Sequence, residues 1–319
     1  MSVKHPVRGK SAIVTGAGSG INLAFATLLL QNGCNVLIAD LGLRPEAKAV
    51  VEKYSGPSGP RAVFQRTDVT DWAQLDRMFA VAEREFGEVH IVCPGAGVYE
   101  EHWSNFWRPP GSPESRDSPT GGRYGLLDLN LTHPIRVTQL AISHFLSHRK
   151  DNSRRHIVHI SSIAGQNPAL AAPIYVATKH AINGLVRSLA KLDDVLNIRV
   201  TAVAPGVIKT PLWLEHPEKL KMIREGKDEW VTPEEVGEVM LALVQQEEVS
   251  NIIGEKNGRG QLFPVSGGTV LEVSKSVRPV HAFNDPGPSN RAGNTVTDMK
   301  VVEDEIFGLL RSGWGKTKL

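Results

Sequence analysis

The stretch Thr15-Gly16-Ala17-Gly18-Ser19-Gly20-Ile21-Asn22 decides the fold. The apolar run before it, Ser11–Thr15, reads as a strand, and Gly20–Gln31 after it reads as a helix. Glycines at such a turn let the backbone approach a pyrophosphate, and the following helix offers free N–H groups and the positive end of its dipole. A tight turn alone would explain the glycines. The next strand, Asn35–Asp40, adds a second sign. It ends in Asp40, about 20 residues beyond Gly20, where an acidic residue holding an adenosine ribose is expected.

Outward from this unit, strands and helices alternate. Ala62–Arg66, Val89–Cys93, His156–Ser161, Arg199–Ala204 and Gln261–Val265 read as further strands. Arg44–Tyr54, Trp72–Phe86, Tyr124–Arg149, Ile174–Leu192 and Pro233–Gln246 read as helices. This alternation predicts a doubly wound α/β fold, a single Rossmann domain with roughly seven parallel strands. Two segments break the rhythm. Residues 98–123 form a long connection containing Pro109, Pro110, Pro113 and Pro119, and loops of that length are functional or disordered. The tail after Gly268 passes through a Pro/Gly-rich linker, Arg278–Asn294. It ends in Val302, Ile306, Leu309 and Leu310, a spacing that gives a helix one apolar face.

Composition excludes several classes. The chain has 319 residues, enough for a sizeable core, and a formal net charge of +2 with no basic block, which argues against nucleic acid. No window is apolar for the roughly 20 residues of a membrane span. The N-terminus has no apolar run of signal-peptide length. The two cysteines, Cys34 and Cys93, sit beside core-like runs, which fits a reducing compartment and a cytoplasmic protein.

A second constellation carries chemistry. Tyr175 and Lys179 lie four apart at the start of a predicted helix and share a face. An ammonium beside a phenol stabilises the phenolate, lowering the tyrosine pKa from about 10 and creating an acid/base for neutral pH. Ser162 ends a strand, where its hydroxyl reaches a substrate oxygen. Tyr-x-x-x-Lys alone is common on solvated helix faces; joined to a strand-end serine and a dinucleotide turn, chance is a poor account. His144 and His148 are also four apart, but no carboxylate pair or second His/Cys cluster completes a metal site in the sequence, and no metal is expected. A serine-hydrolase reading fails because HISSIAG, residues 159–165, is not a G-x-S-x-G elbow.

From about Lys10 to Gly268 the chain resembles the short-chain dehydrogenase/reductases. It is most similar to the 15-hydroxyprostaglandin dehydrogenase-like subgroup. TGAGSGIN (15–22), LDLNLTHP (127–134), HISSIAGQNPALAAPIYVATKHAINGLVRS (159–188) and VAPGVIKTPL (203–212) carry the resemblance. It implies Tyr175 as general acid/base, Lys179 as its pKa modifier and nicotinamide-ribose ligand, Ser162 as the substrate-orienting hydroxyl, and Asn130 as holder of a proton-relay water. It implies a cofactor site of Gly16, Gly18, Ser19, Gly20, Ile21, Asp40, Asp68, Val69, Gly95, Ala96, Pro205, Gly206, Ile208 and Thr210, together with Tyr175 and Lys179.

Departures from the pattern are visible. Asn22 stands where the third glycine is usual, and its side chain must fit where helix and strand pack closely. Cys93-Pro94-Gly95-Ala96-Gly97 replaces NNAG, losing an amide that braces the central strand. Position 172 is alanine where the prostaglandin enzyme has a substrate-touching glutamine, so prostaglandin is not carried over as substrate.

The expectation is an oxidoreductase domain over 1–268, with an inserted loop at 98–123 and a substrate loop at 207–231, then an extension over 269–319 with a short helix. It transfers a hydride between NAD(H) and a bulky, mostly apolar secondary alcohol or ketone. Trp103, Trp107, Trp213 and Trp230, with Tyr99, Phe106, Leu212 and Leu214, would line the pocket, although the same rings would serve to anchor long loops. A homodimer or homotetramer is expected, with the stripe Ile182, Leu185, Val186 and Leu189 either at the interface or packed on the sheet. The rival readings are a non-redox dehydration or cyclisation and a dinucleotide-sensing scaffold. The intact Ser162, Tyr175 and Lys179 argue against the scaffold.

Overall fold

A computed structural model of the chain describes residues 3–215, 223–224, 229–253, 260–282 and 298–314. Strands β1 (Ser11–Thr15), β2 (Asn35–Asp40), β3 (Ala62–Arg66), β4 (Ile91–Cys93), β5 (Arg155–Ile160) and β6 (Ile198–Pro205) alternate with helices α1 (Gly20–Gln31), α2 (Pro45–Lys53), α3 (Trp72–Phe86), α4 (Gly125–Leu127), α5 (His133–His148), α6 (Pro173–Ser188) and α7 (Leu192–Leu196). Then come α8 (Pro211–Leu214), α9 (Pro233–Gln245), β7 (Glu248–Ser250), β8 (Leu262–Pro264), β9 (Val270–Val273), β10 (Val277–Pro279) and α10 (Met299–Arg311). The central sheet has eight strands in the order β10-β9-β6-β5-β4-β1-β2-β3. All its pairings are parallel except the β10–β9 edge, as the doubly wound reading requires.

The period-2 alternation of the strands divides the core. Ala12, Val14, Val36 and Ile38 face Phe25 and Leu29 of α1 and Val239 and Leu243 of α9. Ile13 and Leu37 face Leu75 and Met78 of α3, Val137 of α5 and Ile182 and Val186 of α6. The stripe on α6 is therefore spent on the sheet: Ile182 and Val186 are buried, and Leu185 and Leu189 pack against the same core. The strand order reverses between β1 and β4, which opens a crevice at the carboxyl ends of the strands.

Four expectations need correction. The seventh parallel strand is not Gln261–Val265. Leu262–Pro264 instead pairs antiparallel with Glu248–Ser250 in a separate ribbon, and Val270–Val273 takes the place beside β6. Two short apolar runs in succession offer the same signal, and periodicity does not choose between them. The sheet thus runs to Pro279, past the expected boundary at Gly268. Tyr124–Arg149 is not one regular helix, because a π-helical turn, Asp128–Thr132, joins α4 to α5. The tail helix turns Leu310, Phe307 and Trp314 toward the core, while Val302, Ile306 and Leu309 remain about half exposed, at 46%, 50% and 54%. The inward residues share the same helical spacing, and only they find apolar partners. Much of the linker, residues 283–297, lies outside the described residues, as does most of 216–228 in the substrate loop.

Candidate active site

The glycine turn is built by close approach. A Cβ on Gly16 would come within 2.7 Å of the Ala96 Cα, and Gly16 sits at φ +71°, so only glycine fits where β1 meets the end of β4. A Cβ on Gly18 would meet the Gly42 carbonyl at 2.3 Å. Gly18 N–H donates to Asp40 Oδ2 at 2.8 Å, so the acidic residue at the end of β2 also holds the turn in shape. Ser19 enters α1 in extended conformation and its side chain makes no capping bond, which leaves the first N–H groups of the helix facing the crevice.

Asn22 does not crowd the site. Its Nδ2 donates to the Gly95 carbonyl at 3.0 Å, and the space beside Gly95 is filled by its amide, since a Cβ there would lie 2.0 Å from Asn22 Oδ1. The amide lost from the β4 end is thus supplied from α1. The two departures in the sequence compensate each other.

Across the crevice, Tyr175 is the third residue of α6, and Lys179 lies one turn on. Lys179 Nζ stands 5.4 Å from the Tyr175 ring centroid and donates to the Ile160 carbonyl at 3.0 Å. Ser162 leads a short 3₁₀ turn, Ile163–Gly165, where its hydroxyl accepts from Ala164 N–H at 3.1 Å. Burial pushes the Tyr175 phenol up to about 12, and a hydrogen bond from Ser162 draws it partly back. Burial also lowers Lys179 to about 8. The expected depression of the tyrosine is therefore not seen here: burial outweighs the hydrogen bond from Ser162 that would lower it.

One cavity of about 360 Å³ collects Gly16, Ser19, Gly20, Ile21, Asp40, Asp68, Val69, Gly95 and Ala96 from one side and Ser162, Tyr175, Lys179, Pro205, Gly206, Ile208 and Thr210 from the other. Of the residues expected there, two do not line it. Gly18 lies behind the turn on Asp40. Asn130 sits in the π-helical turn, with its side chain committed to Val98: Oδ1 accepts from Val98 N–H at 3.0 Å and Nδ2 donates to Val98 O at 2.8 Å. The glycine cradle, the uncapped helix start and the carboxylate at the end of β2 suit a dinucleotide.

The loop over 98–123 is tied down. Ser104 Oγ donates to Asp117 Oδ2 at 2.7 Å, and Asp117 Oδ1 accepts from Gly125 N–H at 2.8 Å at the start of α4. Trp103 anchors the loop on that helix, where a Cβ on Gly125 would meet its ring at 2.7 Å. Tyr99 stands with its ring centroid 5.0 Å from that of Tyr175. Trp213 lines the cavity and meets Trp230 edge-on at 6.0 Å. Three polar partners escaped the sequence reading: the bracing bond of Asn22, the buried Glu100 on Tyr175 N–H, and Glu215, which takes the Arg44 guanidinium in two hydrogen bonds of 2.5 and 2.6 Å. No spacing signals contacts between residues so far apart.

Glu83 joins His144 and His148 in a cluster that the sequence did not reveal. The two rings stack at 4.3 Å and 15°, so their in-plane lone pairs run side by side. His144 Nε2 already accepts from Val89 N–H at 3.2 Å. The three candidate ligand atoms lie within 4.8 Å of one another, so Glu83 supplies the third group that the sequence reading did not find. Among the described residues no helix is long and apolar enough to cross a membrane.

Residues 10–221 match the family model for short chain dehydrogenases. The chain is 33% identical to rat 15-hydroxyprostaglandin dehydrogenase [NAD(+)] over 67% of this chain and 73% of the relative. It is 33% identical to bovine L-fucose dehydrogenase over 68% of this chain and 74% of that one. It is 27% identical to the 3-oxoacyl-[acyl-carrier-protein] reductase of Thermotoga maritima, over 83% and 99%. With that match laid over the glycine turn, Ser162, Tyr175 and Lys179, the chain belongs to the short-chain dehydrogenase family and is an NAD(P)-dependent oxidoreductase.

Proposed function

We propose that the protein interconverts a bulky, mostly apolar secondary alcohol and its ketone with NAD(H). The observation that carries this reading is the convergence of Ser162, Tyr175 and Lys179 with the glycine turn in one cavity. In oxidation, Tyr175 takes the proton of the substrate hydroxyl as the carbinol hydrogen departs as hydride. When bound, the nicotinamide supplies the acceptor for that hydride. Ser162 donates to the substrate oxygen and fixes its position beside the phenol. Lys179, charged below its value of about 8, stabilises the phenolate and orients the cofactor ribose. The Asn130 side chain is spent on Val98 through both its donor and its acceptor end, which takes that pair from a relay water. A phenol at about 12 keeps its proton at neutral pH and is the ready acid for ketone reduction.

Tyr99 and Trp213 at the site, with the half-exposed Phe106 and Trp107 nearby on the loop, favour an apolar substrate over a sugar. NAD(H) is the preferred cofactor, because Asp40 repels a 2′-phosphate and Glu215 occupies Arg44, a cation four residues on. A homodimer or homotetramer would cover the exposed Val302, Ile306 and Leu309. The buried free thiols of Cys34 and Cys93 suit the cytoplasm. The test follows NADH absorbance while 1-phenylethanol, 1-(2-naphthyl)ethanol, glycerol and L-fucose are offered with NAD⁺. The naphthyl alcohol is expected to give the highest kcat/KM. A preference for glycerol or L-fucose removes the apolar reading, and no hydride transfer from any alcohol to NAD⁺, or from NADH to any matching ketone, removes the function.

A further inference from the structure

Helix α6 begins without a cap of its own. Its N-cap residue is Ala172, which offers no side-chain acceptor. The N–H of the third helical residue would ordinarily bond to such a cap, and that residue is Tyr175. Its partner comes from 75 positions earlier in the chain: Glu100 Oε2 accepts from Tyr175 N–H at 2.9 Å. The other oxygen, Oε1, accepts from Phe106 N–H at 2.8 Å. Glu100 is only 4% exposed. A buried carboxylate between two backbone donors, at the positive end of a helix, is held by charge-assisted bonds. The neighbouring Tyr99 lies against the Tyr175 ring, and Trp107 Nε1 donates to Leu170 O at 2.7 Å on the segment leading into α6.

We propose that Glu100 is a positioning residue for Tyr175: it clasps the inserted loop to the first turn of α6, so that the loop sets the place of the phenol. The proposal rests on the reading of Tyr175 as the acid/base. A helix cap alone would be supplied more cheaply by serine at position 172. A clasp through Glu100 makes the order of the loop a condition for the order of the phenol. The loop then does more than wall the pocket, since any substrate that settles it also settles Tyr175.

The test compares wild type, Glu100→Ala, Glu100→Gln and the double variant Glu100→Ala with Ala172→Ser, using Tyr175→Phe as control. Turnover is measured with 1-(2-naphthyl)ethanol and NAD⁺, NADH affinity by fluorescence, and order by amide hydrogen exchange of the 98–123 segment and the start of α6. Glu100→Ala is expected to lose tenfold or more in kcat, to keep its NADH Kd within twofold, and to exchange tenfold faster in both segments. Serine at 172 should restore protection to α6 alone, with kcat still low. Glu100→Gln keeps one acceptor and should fall between; it carries the comparison if the alanine variant does not fold. Wild-type kcat in a folded Glu100→Ala, unchanged loop exchange, or full rescue by serine overturns the clasp. If Tyr175→Phe turns over normally or the wild type is inert, the proposed function falls instead, and exchange alone decides the clasp.

Discussion

Tyr175 is the most consequential single residue. Tyr175→Phe is expected to keep NADH affinity and to lose about 10²–10⁴-fold in turnover, because it removes a proton carrier and no contact of the glycine turn. Steady-state rates and NADH titration on one sample check this. Asp40 has two duties, and the substitution must separate them. Asp40→Asn keeps an acceptor for Gly18 N–H while removing the charge, so the turn should survive as the cofactor preference weakens. The ratio of NADPH to NADH dissociation constants should fall at least tenfold, or about 1.4 kcal/mol. Adding Glu215→Gln, which weakens the hold on Arg44, should lower it further. An unchanged ratio in both variants would show that the carboxylate does not set the preference. The sequence named Asp40 because its distance from the glycines is a local matter. It did not name Glu215, because pairing across 171 residues depends on the assembled fold.

Helices α1 and α9 show how an element far from the crevice governs it. A Cβ on Gly237 in α9 would lie 3.0 Å from Leu28 Cδ1 and 3.3 Å from Phe25 N, so the backbone of α9 rests directly on α1. Gly237→Val should overpack this contact, costing about 1–3 kcal/mol. Since α1 starts at the glycine turn, NADH affinity should fall with stability. Denaturation and NADH titration test the pair together, and a loss of stability with intact affinity would show that α1 yields without moving its start. Long patterns located the elements, although the longest, Tyr124–Arg149, concealed the π-helical turn within it. α3 stands where the sequence put it, because its fifteen residues repeat the apolar period enough times to be unambiguous. α1, apolar on nearly every side, was placed by the glycine turn that opens it. β8 was read as the seventh strand of the sheet and β9 was missed, because three- and four-residue runs carry no period. Loop 98–123 was visible only as an irregularity, since Ser104, Asp117 and Glu100 acquire partners only after it folds back on α4 and α6.

At the scale of the whole molecule, acid is the weak point. His90 and His133 are held at about 4 and His144 and His159 at about 3, chiefly by burial, which disfavours the charged form. Their folded values lie below the unfolded value of about 6.5. The unfolded chain therefore binds more protons below that pH, and the stability these groups contribute is complete above 6.5 and lost as pH falls toward 4 and 3. At about 1.4 kcal/mol per pH unit, each contributes on the order of 3–5 kcal/mol that is lost across that range. Tm should decline already between pH 6.5 and 5, above the range where paired carboxylates such as Glu247, held at about 2, begin to matter. A flat Tm over that interval would mean these histidines bind protons equally well in both states.

The π-helical turn at Asp128–Thr132 has a further consequence. A π turn holds one residue more than the α-helix on either side of it, and each α-helical residue turns the chain by about 100°. Deleting one amino acid from this stretch would let α4 and α5 merge into a regular helix, with both flanks keeping their direction and only the bulged residues changing place. Leu129 would leave the cavity wall and Asn130 would let go of Val98. The helix would gain regularity while the catalytic face lost its alignment. The surplus residue thus acts as a local outward step written into the chain's length, invisible to any count of which amino acids are present.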